Sequence, residues 1–291
     1  MKTKTVEVKL AQSLRLGGVE LNIKNVSEMK DFYTGTLGLQ VLAEDDKKVV
    51  LGKNTQPLVT LHKEESLPAT QSTHAGLYHF AILFSSRKEL AKTLLHALKR
   101  SPNSFSGSAD HLVSEAFYFY DPEGNGIELY FDRDRSSWLW ENNQVKMATL
   151  YIDPVKYVEQ NIVIDEQIED VTMGHFHLKV GDIQKAKKFF VDLLGFDVTA
   201  ELPGALFVSV GGYHHHVGLN SWESLGASER TPSLGLKMIG FILPNTNALD
   251  ALKNRLRQNG VSFVEEKQAI HVLDPWKNEL TFTVDFNMPS S

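Results

Sequence analysis

Eleven histidines and no cysteine bound the chemistry open to this 291-residue sequence. Without thiols there are no disulfides, Fe–S clusters or thiolate metal sites, so a metal would have to sit on imidazole, carboxylate or backbone oxygen. Seven of the eleven histidines fall in four places. His79 lies in LYHFAIL, and His175 and His177 lie in MGHFHLKV. Residues 111–128, HLVSEAFYFYDPEGNGIE, carry His111, Tyr118 and Glu128, and residues 211–220 read GGYHHHVGLN. Imidazoles suit both metal coordination and proton transfer near neutral pH. Glu128 sits in the apolar run GIELYF, where an unpaired carboxylate would be costly, so a cation, a metal or a proton should meet it. Read as a strand, the histidine run alternates, with His214 and His216 to one side and His215 to the other.

The elements that must position these residues repeat along the chain. FYTGTLGLQV at 32–41 matches FFVDLLGFDV at 189–198, each preceded by a strand and an amphipathic helix. In the second copy Ile183, Ala186, Phe189, Phe190, Leu193 and Leu194 recur at helical spacing. Asp182 suits the N-cap, and Gly195, like Gly38, suits the left-handed C-cap. A second repeat interleaves: ELAKTLLHALKR matches ALDALKNRLRQNG, and AFYFYDPEGNGIELYF matches AIHVLDPWKNELTFTV. Four βαβββ units follow, near 17–65, 76–133, 172–223 and 234–286, so the fold class is α+β. An N-terminal half, 1–133, and a C-terminal half, 172–291, are joined by a polar connection, 134–171.

The net charge of −6 is mild, and the basic residues are scattered, which argues against a nucleic-acid partner. No stretch of 18 apolar residues spans a membrane, and the N-terminus lacks the apolar core of a secretory signal. A cytoplasmic protein is expected, with a homo-oligomer left open.

Four such units resemble the vicinal-oxygen-chelate superfamily, which includes glyoxalases and extradiol dioxygenases. The resemblance covers nearly the whole chain. In that superfamily two units pair to curl their sheets around a metal, with ligands from the first and last strands of a unit. Aligned on their helices, the units place Gly18, His79, His175 and Met238 at the first-strand position. The last-strand position holds Glu128 in the second unit and Thr281 in the fourth. His79, His175 and Glu128 form the two-histidine, one-carboxylate set that suits Fe(II) and leaves positions open on the metal. His177, two residues on from His175, is the rival ligand on the same face.

Residues 111–128 are similar to the extradiol dioxygenase signature, which runs His111, Phe117, Tyr118, Asp121, Pro122, Gly124, Glu128. Ala109 departs from its first position, where Gly or Asn is preferred. The histidine run is similar to a His-His stretch in that family whose second histidine is the acid–base residue, and the match falls on His216. The resemblance implies cleavage of a catechol, unsubstituted or with an apolar substituent, by O2 to a 2-hydroxymuconate semialdehyde. His216, His111 and Tyr118 would act on protons and oxygens around the metal. Two other readings stay open: a glyoxalase-type metal-dependent lyase, whose fourth ligand would fall near Gly218, and a metal-free small-ligand-binding protein. The ligand set also makes a demand on architecture. His79 and His175 meet only if units two and three pair, leaving one and four to form a metal-free cup.

Overall fold

The computed structural model describes residues 9–163 and 170–284. The first residues of the N-terminal segment, positions 164–169 of the connection and the last two residues of the fourth unit lie outside them.

Each unit is a strand, a helix and three further strands. The first has β1 (Arg15–Ile23), α1 (Val26–Asp31), β2 (Gln40–Glu44), β3 (Lys48–Lys53) and β4 (Gln56–Lys63). The second has β5 (Gly76–Phe84), α2 (Arg87–Arg100), β6 (Phe105–Asp110), β7 (Ser114–Tyr120) and β8 (Gly126–Asp132). The connection carries the short pair β9 (Trp140–Glu141) and β10 (Gln144–Val145), then α3 (Pro154–Asn161). The third unit has β11 (Val171–Lys179), α4 (Ile183–Lys187), β12 (Asp197–Leu202), β13 (Ala205–Ser209) and β14 (Val217–Asn220). The fourth has β15 (Gly235–Leu243), α5 (Thr246–Gln258), β16 (Phe263–Glu266), β17 (Ala269–Leu273) and β18 (Glu279–Val284).

The repeat has a local cause. After each first strand a polar side chain caps the helix: Asn25 accepts from Glu28 N–H, Ser86 from Glu89, Asp182 from Lys185 and Asn245 from Ala248. Each such cap is worth about 1 kcal/mol. In units one and three the helix widens into a π turn, over Phe32–Thr36 and Lys188–Leu193, and Gly38 and Gly195 follow at φ +70° and +91°. The third unit's cap and both C-terminal glycines stand where the spacing predicts them.

Pairing follows the expectation from the ligands. β1 runs antiparallel to β15, and β5 antiparallel to β11, so the strand orders are β16-β17-β18-β15-β1-β4-β3-β2 and β12-β13-β14-β11-β5-β8-β7-β6. Each eight-stranded sheet therefore draws one unit from each half of the chain. Within a unit the last strand lies parallel to the first, as β8 does to β5.

Aromatic side chains on the far face of the first strands bind the two sheets together. Phe80 stacks on Tyr33 of the first unit, and Phe176 meets Phe241 of the fourth edge-on. The turns before the last strands of units two and four share one device. Asp121 accepts from the backbone N–H of Glu123 and Asn125 and from Asn125 Nδ2, while Asp274 does the same for Trp276 and Asn278. Among the described residues no helix is long and apolar enough to cross a membrane.

Candidate active site

The concave face of the second sheet is built from alternating positions of β5, β8 and β11. Register places Glu128 opposite Ala81, and Ala81 opposite His175, so the three form one row across adjacent strands. Tyr118 on β7 extends the row beyond Glu128. His79 lies two residues before Ala81 on the same face.

His79 Nε2, His175 Nε2 and Glu128 Oε2 converge in a near-equilateral triangle, with separations of 3.3, 3.0 and 3.1 Å. All three residues are buried. Protons alone satisfy this triangle poorly, because two imidazole nitrogens and a carboxylate oxygen would contend for them. An ion about 2.1 Å from each donor, at right angles, would set the donors about 3.0 Å apart, close to what is found. Burial pushes the Glu128 carboxyl up, yet the imidazoles of His175 and His79 hold it well below the usual carboxylate range. Burial draws the His175 imidazole down to about 4 against the pull of Glu128, so it is a neutral donor near pH 7. The residues present fit a divalent metal held on one face.

Two close approaches shape this floor. A Cβ on Gly174 would meet the Tyr130 hydroxyl at 1.9 Å, and a register shift in β11 between Met173 and His175 marks the spot. A Cβ on Gly218 would meet the His177 ring at 2.9 Å. His177 itself is turned to other work: its Nε2 accepts from Asn220 Nδ2 at 3.0 Å. It borders the cavity beside His79, with ring centroids 4.9 Å apart.

The triangle opens onto a cavity of about 530 Å³ whose wall includes Tyr78, Phe119, Ile127, Phe207 and Trp222. No Lys or Arg is among the described residues that line it. His111 and Tyr118 meet there, with His111 Nε2 2.6 Å from the Tyr118 hydroxyl. His111 Nδ1 lies 2.7 Å from the Ala148 carbonyl, which can only accept. In the neutral imidazole the proton is therefore on Nδ1, and Nε2 receives the Tyr118 O–H. Burial and then Glu128 raise the Tyr118 hydroxyl well above its ordinary pKa, so it stays a donor.

The histidine run departs from the strand reading. β14 begins only at Val217, after a turn in which Gly211 and Gly212 take φ +63° and +66°. Without strand alternation, His214 and His215 bond to each other through their Nδ1 atoms at 2.7 Å. His215 lines the cavity, with its ring centroid 4.1 Å from that of His175. His216, expected at the acid–base position, lies off the cavity wall. Its Nδ1 accepts from Ser209 Oγ at 2.7 Å and from Val210 N–H, and burial lowers its pKa to about 3. His215 is the imidazole of this run that faces the cavity.

The connection does more than join halves. Asp110 and Leu150 exchange backbone hydrogen bonds, Ala148 N–H reaches the His111 carbonyl, and Ser108 Oγ reaches the Ile152 carbonyl. The segment thus lies along the free edge of β6 and brings Met147, Ala148 and Thr149 to the cavity wall. Sequence reading passed over them; the apolar Val145 and Met147, alternating with Lys146 in an otherwise polar stretch, were the available signal.

Comparison with known proteins agrees with this layout. The profile of the Glyoxalase/Bleomycin resistance protein/Dioxygenase superfamily matches residues 15–129 and again 172–282. A catechol-2,3-dioxygenase of Bacillus subtilis (strain 168) is 37% identical over 275 residues, 91% of this chain and 95% of that protein. A biphenyl-2,3-diol 1,2-dioxygenase 3 of Rhodococcus globerulus is 30% identical over 90 residues, 31% of this chain and 47% of that protein. Among solved structures, glyoxalase I from Zea mays superposes with a TM-score of 0.57 at 13% identity, over 94% of this chain and 92% of that one. A Bacillus subtilis structure described as a candidate dioxygenase reaches 0.64 at 12% identity, over 97% and 87%. At such identities the structural likenesses speak for the fold.

Proposed function

Since this chain belongs to the Glyoxalase/Bleomycin resistance protein/Dioxygenase superfamily and is an enzyme related over most of its length to a catechol-2,3-dioxygenase, we propose that it cleaves an apolar catechol with O2 in an Fe(II)-dependent extradiol reaction. The observation that carries this reading is the buried His79–Glu128–His175 triangle, whose free side faces an apolar cavity bordered by His215 and the His111–Tyr118 pair. Bound there, Fe(II) would supply the place where both catechol oxygens and O2 meet and exchange electron density.

The chain's own residues do the rest. His215 receives a proton from a catechol hydroxyl and later returns it. Tyr118 releases its O–H from His111 Nε2 and turns it toward an oxygen of the reacting ring. The aromatic wall excludes water and positions the ring. A wall without Lys or Arg supports an unsubstituted, alkyl or aryl catechol over one bearing a carboxylate. The expected product is a 2-hydroxymuconate semialdehyde. A glyoxalase-type lyase fits less well: its fourth ligand would stand at Gly218, where the His177 ring already fills the space a side chain needs.

The test is anaerobic loading with Fe(II), followed by O2 uptake and the appearance of the yellow ring-fission product over a panel of catechols. Activity is expected with apolar catechols, together with loss of bound iron in His79→Ala, Glu128→Ala and His175→Ala. Iron-loaded protein that consumes no O2 with any catechol overturns the reading, as does an alanine variant that keeps full iron.

A further inference from the structure

β8 presents Glu128, Tyr130 and Asp132 on one face, at alternate positions. The first faces the cavity, but Asp132 lies beyond it at the strand's end with its side chain 19% exposed. From there a chain of hydrogen bonds runs back inward. Asp132 Oδ1 is 2.8 Å from His214 Nε2, and His214 Nδ1 is 2.7 Å from His215 Nδ1. His214 is fully buried, and its ring packs against those of Tyr213 and Trp138, which hold it in place. Among the described residues His215 Nε2 has no hydrogen-bond partner, and the ring borders the cavity.

The direction of each bond follows from chemistry. An ionised carboxylate can only accept, so His214 carries its proton on Nε2. Its Nδ1 is then a lone pair, which requires the proton of His215 to be on Nδ1. That leaves a lone pair on Nε2 of His215. We propose that Asp132 and His214 are positioning residues that fix the tautomer of His215, keeping the lone pair of its Nε2 toward the cavity. The inference rests on the ring-cleavage reading for its catalytic consequence, but the tautomer is a property of the chain whatever the reaction. A catechol hydroxyl needs an acceptor, and the opposite tautomer would present an N–H instead. The logic is that of a buried carboxylate behind a catalytic histidine, here extended by one imidazole.

The test compares Asp132→Asn, Asp132→Glu and His214→Phe with wild type. The Tyr213 hydroxyl also hydrogen-bonds to Asp132, so the carbonyl oxygen of an asparagine is held there and its N–H turns to His214, which reverses both imidazoles. Phenylalanine keeps the ring volume and removes the acceptor for His215. Asp132→Asn and His214→Phe are expected to keep iron and KM while kcat falls, by about 10²-fold for the asparagine. Asp132→Glu should retain most of the activity. The second measurement needs no turnover: ¹⁵N-histidine NMR of zinc-loaded protein should show two imidazoles exchanging tautomers between wild type and Asp132→Asn. Wild-type kcat in both iron-replete variants, or unchanged tautomers, overturns the proposal. So does loss of iron in both, which would make the pair part of the metal cage. If wild type cleaves no catechol yet the tautomers exchange, the ring-cleavage reading falls and the positioning role stands.

Discussion

Glu128 and His175 reach the same point from two strands that are not neighbours: β5 runs between them, and the residue it places in their row is Ala81. Ala81 is completely buried and adds only a methyl group where any longer side chain would enter the space in which His79, Glu128 and His175 converge. Its smallness is a condition of the site.

Replacing Ala81 with Leu is therefore expected to displace the donors while the strand survives, since the β5 backbone pairs on both sides. Metal affinity should fall by 10-fold or more, on the order of the loss when a supporting residue of a metal site is changed. Overpacking should cost about 1–3 kcal/mol. Ala81→Gly should leave metal binding nearly intact. Metal titration beside thermal unfolding separates the two effects, and an Ala81→Leu variant with wild-type affinity would show that the row is not crowded.

Gly174 guards the same floor from β11. A methyl group there would collide with the Tyr130 hydroxyl and with ring carbons at 2.4 and 2.5 Å, so the ring must move as a whole. Gly174→Ala should destabilise the protein by about 1–3 kcal/mol and weaken metal binding through the adjacent His175. Thermal unfolding with and without metal checks this: the loss should be larger in the metal-loaded protein.

His215 and His216 separate cleanly. His215→Phe should retain iron and slow turnover by about 10²–10⁴-fold, the range for a lost acid–base group. His216→Phe removes the acceptor for Ser209 Oγ and Val210 N–H, which costs stability but leaves the cavity wall in place. Single-turnover rates and melting temperatures of the two variants should therefore fall in opposite patterns. A catalytic defect confined to His216→Phe would return the acid–base role to that residue.

The turn aspartates make stability depend on pH. Burial raises Asp121 and Asp274 to about 6, even though Asn125 and Asn278 hydrogen-bond to them. Their folded values lie above the unfolded value near 3.8, so the folded state binds more protons between about pH 4 and 6. Through these two groups, stability rises as pH falls across that window and is flat above it. An Asp121→Asn, Asp274→Asn double variant should lose this contribution, and the difference in melting temperature between variant and wild type should change from pH 7 to pH 5. A constant difference would mean that both carboxylates are ionised throughout.

The four units and most of the donors are legible in local patterns of residue type. The Asp182 cap, Gly38 and Gly195, the Asp-Pro turns and the alternation of apolar residues are local, so the units could be aligned without coordinates. Once the units were aligned, His79, His175 and Glu128 stood at corresponding corners, and chemistry required the second and third units to pair. Tertiary structure decided what depends on backbone that is neither helix nor strand, and on strands brought together from far along the chain. His215 rather than His216 faces the cavity because two glycines at positive φ delay the start of β14. Ala81 matters only because β5 falls between β8 and β11. Met147 and Ala148 become wall because the connection lies along the edge of β6. Asp132 and His214, 82 residues apart, become partners only when the sheet closes. A hydrogen bond between distant residues leaves no periodic trace in a sequence, and it forms only where the packed chain leaves each donor one acceptor within reach.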